Sequence, residues 1–114
     1  MHILLIDDDD GVRSSLLNLF EYLDYTCTAS AGGEEVFTLL ADNQFDLVLT
    51  DVDMPHLSGT EIAAHCTLHY PTLPIIVMSG NSAPELSPDT PFLSKPFSLA
   101  DLINTVTRLT QYAE

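Results

Sequence analysis

The sequence is short of positive charge. Arg13, Lys95 and Arg108 are its whole complement of lysine and arginine, against 17 Asp+Glu, and its formal net charge is -14. Neutralising phosphates requires clustered basic side chains, so no direct nucleic-acid contact is expected of this chain. A polybasic contact with a membrane surface is excluded for the same reason. No apolar run approaches the roughly 20 residues of a membrane-spanning helix, and no signal peptide is expected ahead of the first strand. Cysteine is scarce too. Cys27 and Cys66 are too few and too unpatterned for a disulfide framework, which points to a reducing, cytoplasmic setting. What is present is the composition of a globular protein: 114 residues, 46% hydrophobic and 18% charged. That balance argues against a disordered acidic tail. The length suits one domain, 1–114, around one core.

Short continuous apolar runs alternate with stretches of helical period. Ile3-Leu4-Leu5-Ile6 is a buried-strand run stopped by four aspartates. Val12, Leu16, Leu19, Phe20 and Leu23 recur at helical spacing, predicting a helix from Gly11 to about Asp24. Thr26 to Ser30 reads as a weaker strand, and Val36, Phe37 and Leu40 as a short helix after Gly32-Gly33. Phe45 to Thr50 predicts a central strand ending at Asp51. Ser58 and Glu61 stand in capping-box spacing before a third helix. Leu73 to Met78 predicts a strand with Pro74 at its entry, where a missing donor is tolerated. Phe92 and Leu93 begin a brief fifth strand. Ser98 opens a last helix with Asp101 in its first turn. Between Gly80 and Phe92 the pattern fails, because Pro84, Pro88 and Pro91 leave room for one helical turn at most. Five strands alternating with helices predict an α/β fold, an open, doubly wound, mostly parallel sheet covered on both faces.

Each chemically interesting side chain follows a strand. Asp7 and Asp8 come after the first, Asp51 after the third, Ser79 after the fourth and Lys95 after the fifth. In a doubly wound sheet those strand ends open onto one edge, where ligands sit. Carboxylates gathered there repel one another and call for a cation or a raised pKa. Hard oxygen ligands with open positions suit Mg²⁺, which often bridges to phosphate. With an ammonium from Lys95 and a hydroxyl from Ser79, the edge is fitted to a tetrahedral anion and to phosphoryl transfer. Asp51 is the candidate nucleophile, since a carboxylate can take up a phosphoryl group as an acyl phosphate.

On these residues the chain resembles the receiver domain of two-component response regulators, nearly end to end. Ile3 to Asp9 resembles the family's first strand and acidic pair, and Leu47 to Gly59 its phosphoacceptor strand and loop. Ile76 to Gly80 and Phe92 to Phe97 resemble its hydroxyl and lysine motifs. The resemblance implies a flavodoxin-like order of five parallel strands. It implies that Asp51 takes a phosphoryl group from a histidine kinase or phosphotransfer protein, with Mg²⁺ as cofactor. Asp8 and Asp51 would ligate the ion through carboxylates, Asp53 through its backbone carbonyl, and Asp7 directly or through water. Ser79 and Lys95 would contact the phosphoryl oxygens, Phe92 would be an aromatic switch, and the Lys95-Pro96 bond would be cis. Gly80 supplies a small residue beside the phosphate. A downstream output domain or protein would read the switch. Two departures stand out. The Gly80–Phe92 segment implies a fourth helix shortened or missing, and Asp53 adds a carboxylate two residues after the acceptor, at a position that often tunes dephosphorylation.

Other readings compete. Asp51-Val52-Asp53 also resembles the nucleophile motif of haloacid-dehalogenase-type phosphatases, which normally lies on an N-terminal strand in a longer chain. A degenerate pseudo-receiver that binds partners constitutively is the third reading, disfavoured because all five site residues are present. Asp9 and Asp10 read as helix-start residues, and His65 and His69 with Cys66 as too few ligands for a metal site. His56, in the acceptor loop, reads as a spacer. The chain is either a stand-alone relay protein or the N-terminal part of a longer regulator.

Overall fold

The computed structural model describes residues 1–54, 57–80, 91–95 and 97–111. The elements follow in the order β1 (His2–Ile6), α1 (Asp10–Tyr22), β2 (Thr26–Ser30), α2 (Glu35–Asp42), β3 (Leu47–Asp51), α3 (Gly59–His69), β4 (Ile75–Ser79), β5 (Phe92–Ser94) and α4 (Leu99–Gln111). All neighbouring strands are parallel, and the sheet order is β2-β1-β3-β4-β5. The radius of gyration is 12.8 Å. This is the expected doubly wound, flavodoxin-like α/β fold. Four helices lie among the described residues. The stunted helix was expected between Gly80 and Phe92, and residues 81–90 lie outside the described ones, as do His56 and Pro96.

The period of two along each strand sorts the core into layers. Ile3, Leu5, Leu47, Leu49, Ile76 and Met78 face α1 and α4, meeting Leu16, Phe20, Leu102 and Val106. Leu4, Ile6, Val48, Ile75 and Val77 face α2 and α3, meeting Val36, Leu40, Ile62, Ala63 and Cys66. Strands apolar on both faces are what a covered parallel sheet requires. Registers such as Leu4 opposite Val48 and Thr50 opposite Val77 bring the strand ends level. Burial pushes the thiols of Cys27 and Cys66 up to about 11, which favours their protonated form.

Element boundaries shift by one or two residues from expectation, for local reasons. Helix α1 begins at Asp10, because the Asp9 side chain caps it by accepting from the Val12 N–H at 3.0 Å. It closes at Leu23 rather than Asp24, which turns left-handed with φ 63° to release the chain into β2. Strand β3 starts at Leu47, two residues later than the apolar run, because Asp46 is solvent-exposed and accepts from the His2 N–H. Pro74 has no donor for the ladder, and β4 starts just after it. The caps at Ser58 and Ser98 are as expected, each oxygen accepting from the N–H three residues on, at 3.3 and 3.0 Å.

No helix among the described residues is long and apolar enough to cross a membrane.

Candidate phosphoacceptor site

Four strands deliver the site to one rim. Asp7 leaves β1, Asp51 ends β3, Ser79 ends β4, and Lys95 follows β5. The Lys95 Nζ lies 3.1 Å from Asp7 Oδ2 and 3.4 Å from Asp51 Oδ1, so one ammonium joins two acids from different strands. Backbone contacts hold that arrangement: the Lys95 N–H donates to the Ser79 carbonyl at 2.8 Å, and the Val52 N–H to the Met78 carbonyl at 2.9 Å. Asp7 is fully buried and Asp51 only 4% exposed. No buried side-chain nitrogen or oxygen among the described residues lacks a partner.

The charges do not cancel. Asp7, the exposed Asp8 and Asp51 each present a carboxylate oxygen, and these oxygens lie within 4.8 Å of one another. The Lys95 ammonium pairs with two of these three acids, Asp7 and Asp51. Burial raises the Asp51 carboxyl above its ordinary value; the Asp53 N–H pulls it back, Asp7 pushes it up again, and Lys95 pulls it down. Burial alone depresses Lys95, but its pairing with Asp7 and Asp51 outweighs that and leaves its pKa raised. A divalent cation is the natural complement to such a group. Three hard oxygen donors, one of them solvent-facing and so able to leave coordination positions for water, fit Mg²⁺.

Asp53 and Ser79 meet each other. The exposed Asp53 turns its carboxylate to accept from the Ser79 hydroxyl at 2.7 Å, while its N–H donates to Asp51 Oδ1 at 3.3 Å. Ser79 itself is fully buried. Phe92, the expected switch, is partly buried against the α2–α3 layer and sits opposite Val77 in the register. Gly80 is exposed, and a Cβ there would make an ordinary 3.9 Å contact with the Lys95 Cβ.

Two contributors were missed in the sequence. Gly59 opens α3 hard against the acceptor strand, where an added Cβ would fall 2.3 Å from the Asp51 carbonyl oxygen. Its only signal is its place just after the Ser58 cap. Arg13 donates from Nη1 to the Asp7 carbonyl at 2.7 Å and from Nη2 to the Asp10 carboxylate. The scarcity of cations was a clue to Arg13. His65 and His69 form no metal cluster. Their rings meet at a tilt with centroids 4.5 Å apart, Phe37 lies 4.4 Å from His65, and burial followed by the neighbouring His69 lowers the His65 pKa. Asp7, Asp8 and Asp51 are the group of side chains among the described residues that could hold a metal ion.

Comparison with known proteins agrees with this geometry. Residues 3–107 match the family described as response regulator receiver domain. The response regulator receiver protein CpdR of Brucella abortus (strain 2308) is 35% identical over 113 residues, which take in 94% of each chain. The sensor kinase CckA of the same strain is 30% identical over 112 residues, 91% of this chain but 12% of the kinase. The crystal structure of the response regulator TrrA from Thermotoga maritima in complex with Mg²⁺-BeF has a TM-score of 0.86 and 27% identity, covering 95% of this chain and 97% of that one.

Proposed function

The chain belongs to the response regulator receiver family and serves two-component signalling; from that premise we propose that it is switched by phosphorylation of Asp51. The observation that carries the assignment is the Lys95 ammonium set between Asp7 and Asp51, at 3.1 and 3.4 Å, on a rim with three clustered carboxylates. A histidine kinase or a phosphotransfer protein is the donor. An oxygen of Asp51 attacks the phosphorus of the donor's phosphohistidine, and an acyl phosphate O–P bond forms. The P–N bond breaks, its electron pair returning to the imidazole nitrogen. In this reading Lys95 pairs with the incoming oxygens, its ammonium held by Asp7.

Mg²⁺ is the proposed cofactor, held by the carboxylates of Asp7, Asp8 and Asp51 and by the Asp53 backbone carbonyl. It would supply neutralisation of charge on the transferring group. Ser79 is the proposed hydroxyl switch and Phe92 its aromatic follower, together biasing the surface around β5 and α4 toward a downstream partner. Residues 1–114 form the single receiver domain of this scheme, and the unpaired cysteines suit a reducing cytoplasm. The proposed end-point is self-modification rather than turnover of phosphate esters. Asp53 supports that side, since its carboxylate accepts from the Ser79 hydroxyl.

Incubation with Mg²⁺ and acetyl phosphate should add a single phosphate by intact mass in wild type and none in Asp51→Ala. An unmodified wild type, or an equal gain in the variant, would overturn the assignment.

A further inference from the structure

We infer that Asp53 is a latch on the switch: its carboxylate holds the Ser79 hydroxyl in the resting state and competes with the phosphoryl group for it. This deepens the proposed function and rests on Asp51 being the phosphoacceptor. Three observations carry it. The Ser79 Oγ donates to Asp53 Oδ2 at 2.7 Å, and a hydroxyl has one hydrogen to give. Ser79 is fully buried, so its hydroxyl makes that bond away from the competition of bulk water. The Asp53 N–H donates to Asp51 Oδ1, so one residue grips the acceptor by its backbone and the switch by its side chain.

The consequence is a raised threshold. Recruiting Ser79 to an oxygen on Asp51 exchanges one charge-assisted hydrogen bond for another, where a neutral or apolar residue at position 53 would leave a clear gain. Asp53 is therefore a positioning residue that acts through Ser79. It sets how far a given load of phosphate shifts the population between resting and switched states.

The test is beryllium fluoride binding at saturating Mg²⁺, followed by amide NMR of Ser79 and Gly80. Asp53→Ala should bind about tenfold more tightly than wild type, the scale of one charge-assisted bond no longer competed for. Asp53→Asn, which keeps the shape but drops the charge, should fall between them. In a Ser79→Ala background the same change at position 53 should have little effect, since the partner it acts through is gone. A second readout needs no beryllium fluoride or metal: the β-proton and amide shifts of Ser79 should differ between wild type and Asp53→Ala, because the 2.7 Å bond to the carboxylate is gone, and identical shifts would overturn the latch. Unchanged or weaker binding in Asp53→Ala overturns the latch. So does a gain that survives in Ser79→Ala, which would trace it to charge repulsion alone. If wild type itself fails to bind beryllium fluoride, the assignment of Asp51 falls first.

Discussion

The two ends of strand β3 carry aspartates that share a residue type and little else. Asp46, just before the strand, is exposed and accepts from the His2 N–H at 2.7 Å, a tie between two chain segments at the sheet's lower edge. Asp51, at the other end, is 4% exposed, lies beside Asp7 and Lys95, and has its pKa raised chiefly by burial. The lower end uses its acid to complete hydrogen bonding in contact with water. The upper end stores charge against the preference of a buried carboxylate, and stored charge is what a cation and a phosphoryl group can use. Chemistry in this molecule sits where polar groups are costly to hold, not simply where they are numerous.

The sharpest contrast is in phosphorylation. Asp51→Asn should lose all incorporation from acetyl phosphate by intact mass, while Asp46→Asn should label like wild type. Next in size is Gly59→Ala. Its Cβ would lie 2.3 Å from the Asp51 carbonyl oxygen and 2.8 Å from the Val52 Cα, and backbone must move to admit it. Overpacking of that kind should cost about 3 kcal/mol in urea unfolding, and slow labelling of Asp51 because the acceptor strand itself is displaced.

Removing the cation should cost somewhat less. Lys95→Met leaves Asp7 and Asp51 buried without their shared partner, a loss of about 2 kcal/mol once the partial exposure of the ammonium is allowed for. Adding Asp51→Asn to that variant should restore part of the stability; no recovery would show that the pair is uncoupled.

A smaller effect follows from pH in metal-free protein. Because the folded-state pKa of Asp51 lies above its ordinary 3.8, the native state holds that proton more tightly than the unfolded chain. Stability therefore falls as pH rises from the ordinary value through the raised one. The slope should be shallower in Asp51→Asn across the same range, as read by thermal melts; parallel curves would contradict the raised pKa. Smallest of all is Asp46→Ala, which removes one solvent-exposed hydrogen bond and should cost about 0.5 kcal/mol.

How far the residues announce this structure differs between the two ends and the middle of the sheet. Apolar periodicity and caps are local, so the five strands, the sides of α1 and α4, and the Ser58 and Ser98 caps were open to inspection in the chain alone. The parallel alternation of strand and helix then obliged Asp7, Asp8, Asp51, Ser79 and Lys95 to share one rim, because every strand of a parallel sheet ends at the same edge. Boundaries were less visible: Phe45 and Asp46 look like strand until the exposed carboxylate is seen tied to His2. What no local pattern foretells is the pairing of side chains on the rim. Asp53 turning to Ser79, Arg13 reaching back to the Asp7 carbonyl, and Gly59 lying against Asp51 each depend on backbone segments set side by side by the packed sheet and helices. A polar side chain selects its rotamer from the partners within reach, and those partners exist only once the chain has closed around its core.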